Sequence, residues 1–132
     1  MSILADSSTI FRALINRKTV QIAGELTIEL TQYELGNAVL KEHRIFKTLT
    51  YDEALKLAGA VNKLMDNMTI VSPPEETEIL EVALETNLSF YDASYLATAK
   101  KMSLVLSTED ERLLKAANKL GVRTKRLEEP DK

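Results

Sequence analysis

Apolar residues follow two rhythms along this chain. Short runs without alternation, such as Ile3, Leu4 and Ala5 within Met1–Asp6 and later Leu104–Leu106, suit strands buried on both faces. Between them the apolar positions recur three and four apart, as helices require. Ile10, Phe11, Leu14 and Ile15 mark a helix over Ser7–Ile15, and Leu35, Ala38, Val39 and Phe46 mark one over Thr31–Phe46. Leu55, Ala58, Val61, Leu64, Met65 and Met68 form the stripe of a third, Tyr51–Met68, with Thr50 and Glu53 as its capping box. Leu26–Ile28, after the breaker Gly24, and the β-branched Thr69–Ser72 are further strands. Pro73 and Pro74 end the latter and open a helix over Pro74–Thr86, its early glutamates placed at the positive end of the dipole. An Ala-rich helix spans Tyr91–Lys101, and another follows Ser107 and Thr108 through Leu120. Gly121 stops that helix, Val122–Leu127 forms an edge strand, and Glu128–Lys132 reads as a frayed tail.

Strands alternating with helices predict a three-layer α/β/α sandwich around a central, mostly parallel sheet. At 132 residues, with 45% hydrophobic and 28% charged, the chain suits one folded domain over residues 1–127. Its net charge of −3 excludes a polybasic nucleic-acid coat, though not a nuclease with a local basic patch. Without cysteine there is no thiolate chemistry and no sulfur-ligated metal. No apolar run approaches a membrane span, and no signal peptide is discernible, so a cytoplasmic location without membrane contact is expected.

Ligands of open parallel sheets bind beyond the carboxyl ends of the strands. Asp6, Ser7 and Ser8 follow the first apolar run; Ser107, Thr108 and Asp110 follow the other. Asp92 shares a helix face with Leu96 and Ala99, where an ionised carboxylate needs donors, a cation or a metal. Glu34 stands at the shoulder of its helix's apolar face, one turn before Asn37. Each acid also has an ordinary reading. Asp6 and Asp92 suit helix caps, Asp110 an acid inside a Thr108–Glu111 capping box, and Glu34 a solvated partner of Lys41. Gathered together, the four would repel unless cations neutralised them, and an oxygen-only donor set suits Mg²⁺ or Mn²⁺.

Four segments occur in order: LADSS (Leu4–Ser8), YELGNAVLK (Tyr33–Lys41), YDASYLATAKK (Tyr91–Lys101) and LVLSTED (Leu104–Asp110). Over essentially its whole length the chain resembles the PIN-domain family, and within it the small VapC-type toxin ribonucleases of toxin–antitoxin pairs. The third segment is the most specific. The resemblance implies a PIN-like fold and an Mg²⁺- or Mn²⁺-dependent endoribonuclease. Asp6, Glu34, Asp92 and Asp110 would be its catalytic and metal-binding acids, with Ser8, Thr108 and Asn37 in support. It also implies a homodimer and a cognate antitoxin. Ser7 stands where threonine is frequent, and a short linker before Glu34 puts the second strand in doubt.

RNA contacts are expected from Arg12, Lys41, Lys100 and Lys101, with Arg17, Lys18 and Arg44 as further candidates; for each, a solvated surface charge is the ordinary alternative. His43 has no acid–base partner nearby in sequence and reads as surface or packing. A response-regulator receiver is disfavoured, because one Asp rather than a pair follows the first strand and Thr69–Ser72 ends in serine and prolines. An Asp-x-Asp phosphatase fails because Ser8 holds the second position. The alternative of another class is a catalytically silent PIN-like module for dimerisation or partner binding. The helices over Thr31–Phe46 and Tyr51–Met68 are expected to offer part of a dimer or antitoxin surface; Met65 and Met68 suggest an adaptable apolar face there, but core packing is the ordinary reading of such a stripe.

Overall fold

A computed structural model describes residues 2–127; the expected tail, Glu128–Lys132, lies outside the described residues. The elements in order are β1 (Ile3–Ala5), α1 (Ser7–Ile15), a 3₁₀ turn (Thr19–Gln21), β2 (Leu26–Thr27), α2 (Leu30–Arg44), α3 (Tyr51–Asn67), β3 (Thr69–Ile70), α4 (Glu76–Thr86), α5 (Phe90–Met102), β4 (Val105–Ser107), α6 (Glu111–Lys119) and β5 (Thr124–Lys125). The sheet runs β3-β2-β1-β4-β5, and every pair is parallel. The second strand is therefore present, with Leu26 in register with Leu4 despite the short linker.

Two cores lie on the two faces of the sheet. Leu4 and Leu106 join Leu96, Leu113 and Val82 on the face covered by α4, α5 and α6. Ala5 packs with Ile10, Leu35, Val61 and Leu64 under α1, α2 and α3. Successive residues of β1 thus serve opposite layers, as the pleat demands. From β1 the chain moves outward through β2 to β3, then crosses to β4 and β5 on the other side. That reversal puts the topological switch between β1 and β4, where open parallel sheets form their binding crevice.

Several local expectations change. α2 ends at Arg44, so Phe46, expected on the buried face, is 61% exposed. Leu55 likewise faces solvent, because α3 packs through Val61, Leu64 and Met65 near its other end. Met65 and Met68, by contrast, take the ordinary core reading of their stripe. α4 starts two residues after Pro74, and β5 is shorter than Val122–Leu127. Residues Ala93–Ala99 of α5 are buried all round, so this helix has no solvent face to contrast with Asp92. Gly121 takes φ +73, the left-handed conformation that lets the chain leave α6. Among the described residues, no helix is long and apolar enough to cross a membrane.

Candidate active site

Asp6 lies where β1 gives way to α1, its backbone N–H donating to the Ser107 carbonyl at the end of β4. Its carboxylate caps α1: Oδ1 accepts from Thr9 N at 3.0 Å and from Ser8 Oγ at 2.7 Å. Oδ2 accepts from Thr108 Oγ1 at 2.5 Å. Capping and site membership thus coincide, since Oδ2 still has a lone pair to offer outward. Burial is the main reason the Asp6 carboxyl is pushed up to about 6; the three hydrogen bonds oppose the rise and the Asp92 charge adds to it.

Thr108 is fully buried and does not cap α6. The cap is Asp110, whose Oδ1 accepts from Arg112 N and Leu113 N, while Asp110 N donates to Thr108 Oγ1 at 3.1 Å. The Thr108–Glu111 capping box is therefore not formed: Thr108 turns its hydroxyl to Asp6, and Glu111 pairs with Arg126. Nor does Asp92 cap α5. Ser89 does, accepting from Asp92 N at 3.1 Å, which leaves the half-buried Asp92 carboxylate to the site. Burial raises the Asp92 pKa, and the neighbouring Asp110 and Glu34 charges raise it further.

Glu34 is half-buried on the first turns of α2, and its partner is not Lys41 but Tyr95 of α5, whose hydroxyl donates to Oε1 at 2.6 Å. Tyr95 is 1% exposed, and burial with the Glu34 contact holds its phenol protonated, well above the ordinary tyrosine range. Behind it runs a chain of hydroxyls: Tyr95 to Thr31 at 2.7 Å, Thr31 to Thr27 at 2.7 Å, and Thr27 to the Ala5 carbonyl at 2.8 Å. Three hydroxyl hydrogens serve four links between two acceptors, so the Thr31 hydrogen turns either to Thr27 or to Tyr95. None of Tyr95, Thr31, Thr27 or Ser89 was signalled as part of the site by its sequence context. Only the helical spacing of Tyr95 from Asp92 hinted at it.

The structure thus draws Asp6, Ser8, Thr108, Asp110, Asp92 and Glu34 to one rim. Asn37 is exposed one turn beyond Glu34. Arg12 is engaged with Glu109 at 2.6 Å, and Glu109 also takes Leu127 N, so this arginine clasps α1 to the segment after β4. Lys100 and Lys101 sit in the last turn of α5, about 12 Å along its axis from Asp92, with Lys101 beside Glu78; they are not brought to the acids. Lys41 is exposed, about 10 Å along α2 from Glu34. His43 packs edge-on against Tyr51 and bonds the Leu49 carbonyl, a structural role.

No lysine or arginine forms an ion pair with any of the four acids among the described residues; Arg112 acts on Asp92 only as a nearby charge. Nor, among these residues, are three acids already drawn close enough to hold an ion by themselves. Magnesium binds through one or two carboxylates, waters and substrate phosphate, so a preformed cage is not required. An oxygen-only nest in which the Asp92 charge raises Asp6, and the Asp110 and Glu34 charges raise Asp92, fits a hard divalent cation, because that charge would relieve the repulsion.

Comparison with known proteins finds similar chains. The family described as PIN domain matches residues 3–119. A curated relative from Pyrobaculum aerophilum, "Exonuclease VapC9", is 37% identical over 87 residues, covering 66% of this chain and 62% of that relative's own length. The crystal structure of PAE2754 from Pyrobaculum aerophilum superposes with TM-score 0.79 at 29% identity, covering 94% of this chain and 89% of that one. VapBC-1 from nontypeable Haemophilus influenzae superposes with TM-score 0.62 at 14% identity, covering 96% of this chain and 98% of that one, and shares the fold. FitAB bound to an IR36 DNA fragment does so with TM-score 0.63 at 15% identity, covering 97% and 99%. With the switch-point geometry, the ordered segments and the match over residues 3–119, the chain belongs to the PIN domain family.

Proposed function

We propose that this protein is a metal-dependent endoribonuclease, the toxin of a toxin–antitoxin pair. The observation that carries this reading is the convergence of four carboxylates, from four separate elements, at the sheet's switch point without a basic ion-pair partner among the described residues. Asp6, Glu34, Asp92 and Asp110 would hold Mg²⁺ or Mn²⁺. When bound, such an ion lowers the pKa of water and stabilises charge on a phosphodiester. Ser8 and Thr108 keep Asp6 fixed by donating to both of its oxygens. Tyr95 holds Glu34 by donating to its Oε1. Asp92 is half-exposed and made more basic by its neighbours, which supports giving it the role of orienting an attacking water and accepting its proton. In-line attack at phosphorus then leaves a 5′-phosphate and a 3′-hydroxyl.

The relative's printed name describes an exonuclease, so the mode of attack belongs in the test. A circular RNA offers no ends, and an endonuclease opens it. The parent is expected to linearise the circle in Mg²⁺ or Mn²⁺, whereas Asp92→Asn, which keeps the shape and removes one charge, should lose this activity by orders of magnitude while remaining folded. A variant as active as the parent would overturn the site, and a circle left intact beside a digested linear RNA would make the enzyme an exonuclease.

Pairing with an antitoxin and self-association into a homodimer belong to the same reading. Support comes from Ile45, Phe46, Tyr51 and Leu55, which are 57–68% exposed between and along α2 and α3. Phe11, Ile15 and Leu49, with Glu42 and Thr48, line a hollow of about 270 Å³.

A further inference from the structure

The expected RNA contacts leave a gap: Arg12 is committed to Glu109, and Lys100 and Lys101 lie at the far end of α5. A chain of net charge −3 with an anionic nest at its centre needs a local cationic path if a polyanion is to reach that nest. We propose that the face of α6 carrying Arg112, Lys115 and Lys119 is that path, a track for the phosphates of single-stranded RNA. This rests on the nuclease reading and adds to it the route by which substrate enters.

The three cations are spaced three and four apart, so they line one side of α6 over about 10 Å. They form one wall of a groove of about 300 Å³ whose other wall is Thr86, Asn87 and Leu88; no acid lines it. Arg112 donates to the Asn87 carbonyl at 3.5 Å and Lys119 to the Glu85 carbonyl at 3.1 Å. These partners are neutral, so they hold the side chains in place without cancelling their charge. No ion pair with an acid involves Arg112, Lys115 or Lys119 among the described residues. Each retains further N–H donors for phosphate oxygens.

The groove is also continuous with the acids. One wall leads directly into Ser89 and Asp92, and the other begins two residues after Asp110. Arg112 is close enough for its charge to act on Asp92. A strand lying in the groove therefore delivers its next phosphate to the switch point. A single line of cations matches one backbone rather than the two of a duplex.

Binding is measured by fluorescence anisotropy of a labelled oligouridylate, in EDTA so that nothing is cleaved, at several salt concentrations. Lys115→Gln/Lys119→Gln should bind more weakly and show a log–log salt slope shallower by about 1.4, two single-strand phosphate contacts being lost. Lys100→Gln/Lys101→Gln removes the same charge from the last turn of α5, outside the groove, and should leave both quantities near those of the parent. Lys115→Gln alone, at an exposed position without a hydrogen bond, should lose half of the effect and guards against misfolding of the double variant. Equal losses in the two double variants would reduce the effect to net charge and overturn the track. So would an unchanged RNA slope, including one accompanied by weaker binding of poly-glutamate, which would assign the groove to an acidic protein. Because no turnover is needed, RNA binding through α6 with no cleavage by the parent would sink the nuclease reading and leave the track standing.

Discussion

Glu34 and Asp92 stand on helices packed against opposite faces of the sheet, and the Tyr95 hydroxyl is the group that reaches from one layer to the other. Removing it should loosen Glu34 without opening a large cavity. Tyr95→Phe is expected to cost about 1 kcal/mol in stability. It should also weaken Mn²⁺ binding about tenfold, the usual order for losing a group that orients a ligand. Titration of Mn²⁺ by electron paramagnetic resonance reads this apart from activity, and an unchanged affinity would show that Tyr95 only packs. Asp6 and Asp110 were legible in sequence because each follows an apolar strand, and Asp92 because its segment is distinctive. The Glu34–Tyr95 bond was not, since it joins residues 61 apart through the meeting of two layers. The ends of α6 and α5 were ambiguous for a simpler reason: Thr108, Asp110, Ser89 and Asp92 are all good caps, and register alone decides among them.

At the scale of elements, α5 does most to build the site. It is buried from Ala93 to Ala99, is capped by Ser89, and presents Asp92 from its first turn. Ser89→Ala removes the acceptor for Asp92 N and should cost about 1 kcal/mol, while Ser89→Thr should retain most of it. Urea unfolding of the two variants checks this; equal losses would mean that the cap contributes nothing. Periodicity revealed that α2 and α3 exist but not which turns the partner layer would cover. Val61 and Leu64 meet the core while Leu55, on the same stripe, is 57% exposed. The strands β1 and β4 are legible because they are uninterrupted and apolar, whereas β5 is shorter than Val122–Leu127 because its pairing with β4 stops at Lys125.

For the molecule as a whole, the buried acid sets a pH dependence. Asp6 has its carboxyl raised from 3.8 to about 6, so the folded state keeps this proton when the unfolded chain has lost it. Below 3.8 both states are protonated and the site carries no penalty. As pH rises from 3.8 to about 6 stability falls, and above that the full cost, about 3 kcal/mol for a group only 4% exposed, is present. Urea midpoints in EDTA should therefore decline across this window, and added Mg²⁺ should flatten the decline. Asp6→Asn should remove this component of the slope; a variant with the parent's slope would place the effect elsewhere.

Asp6 meets Thr108 across 102 residues of chain, and the strands carrying them are parallel neighbours that no local hairpin could pair. Such contacts close only after everything between has been made and packed. A nascent polypeptide still on the ribosome and ending before β4 thus holds three of the carboxylates but lacks Asp110 and the Thr108 hydroxyl that fixes Asp6. If the proposed nuclease reading holds, RNA near the ribosome is spared until the last fifth of the chain has emerged to complete the site.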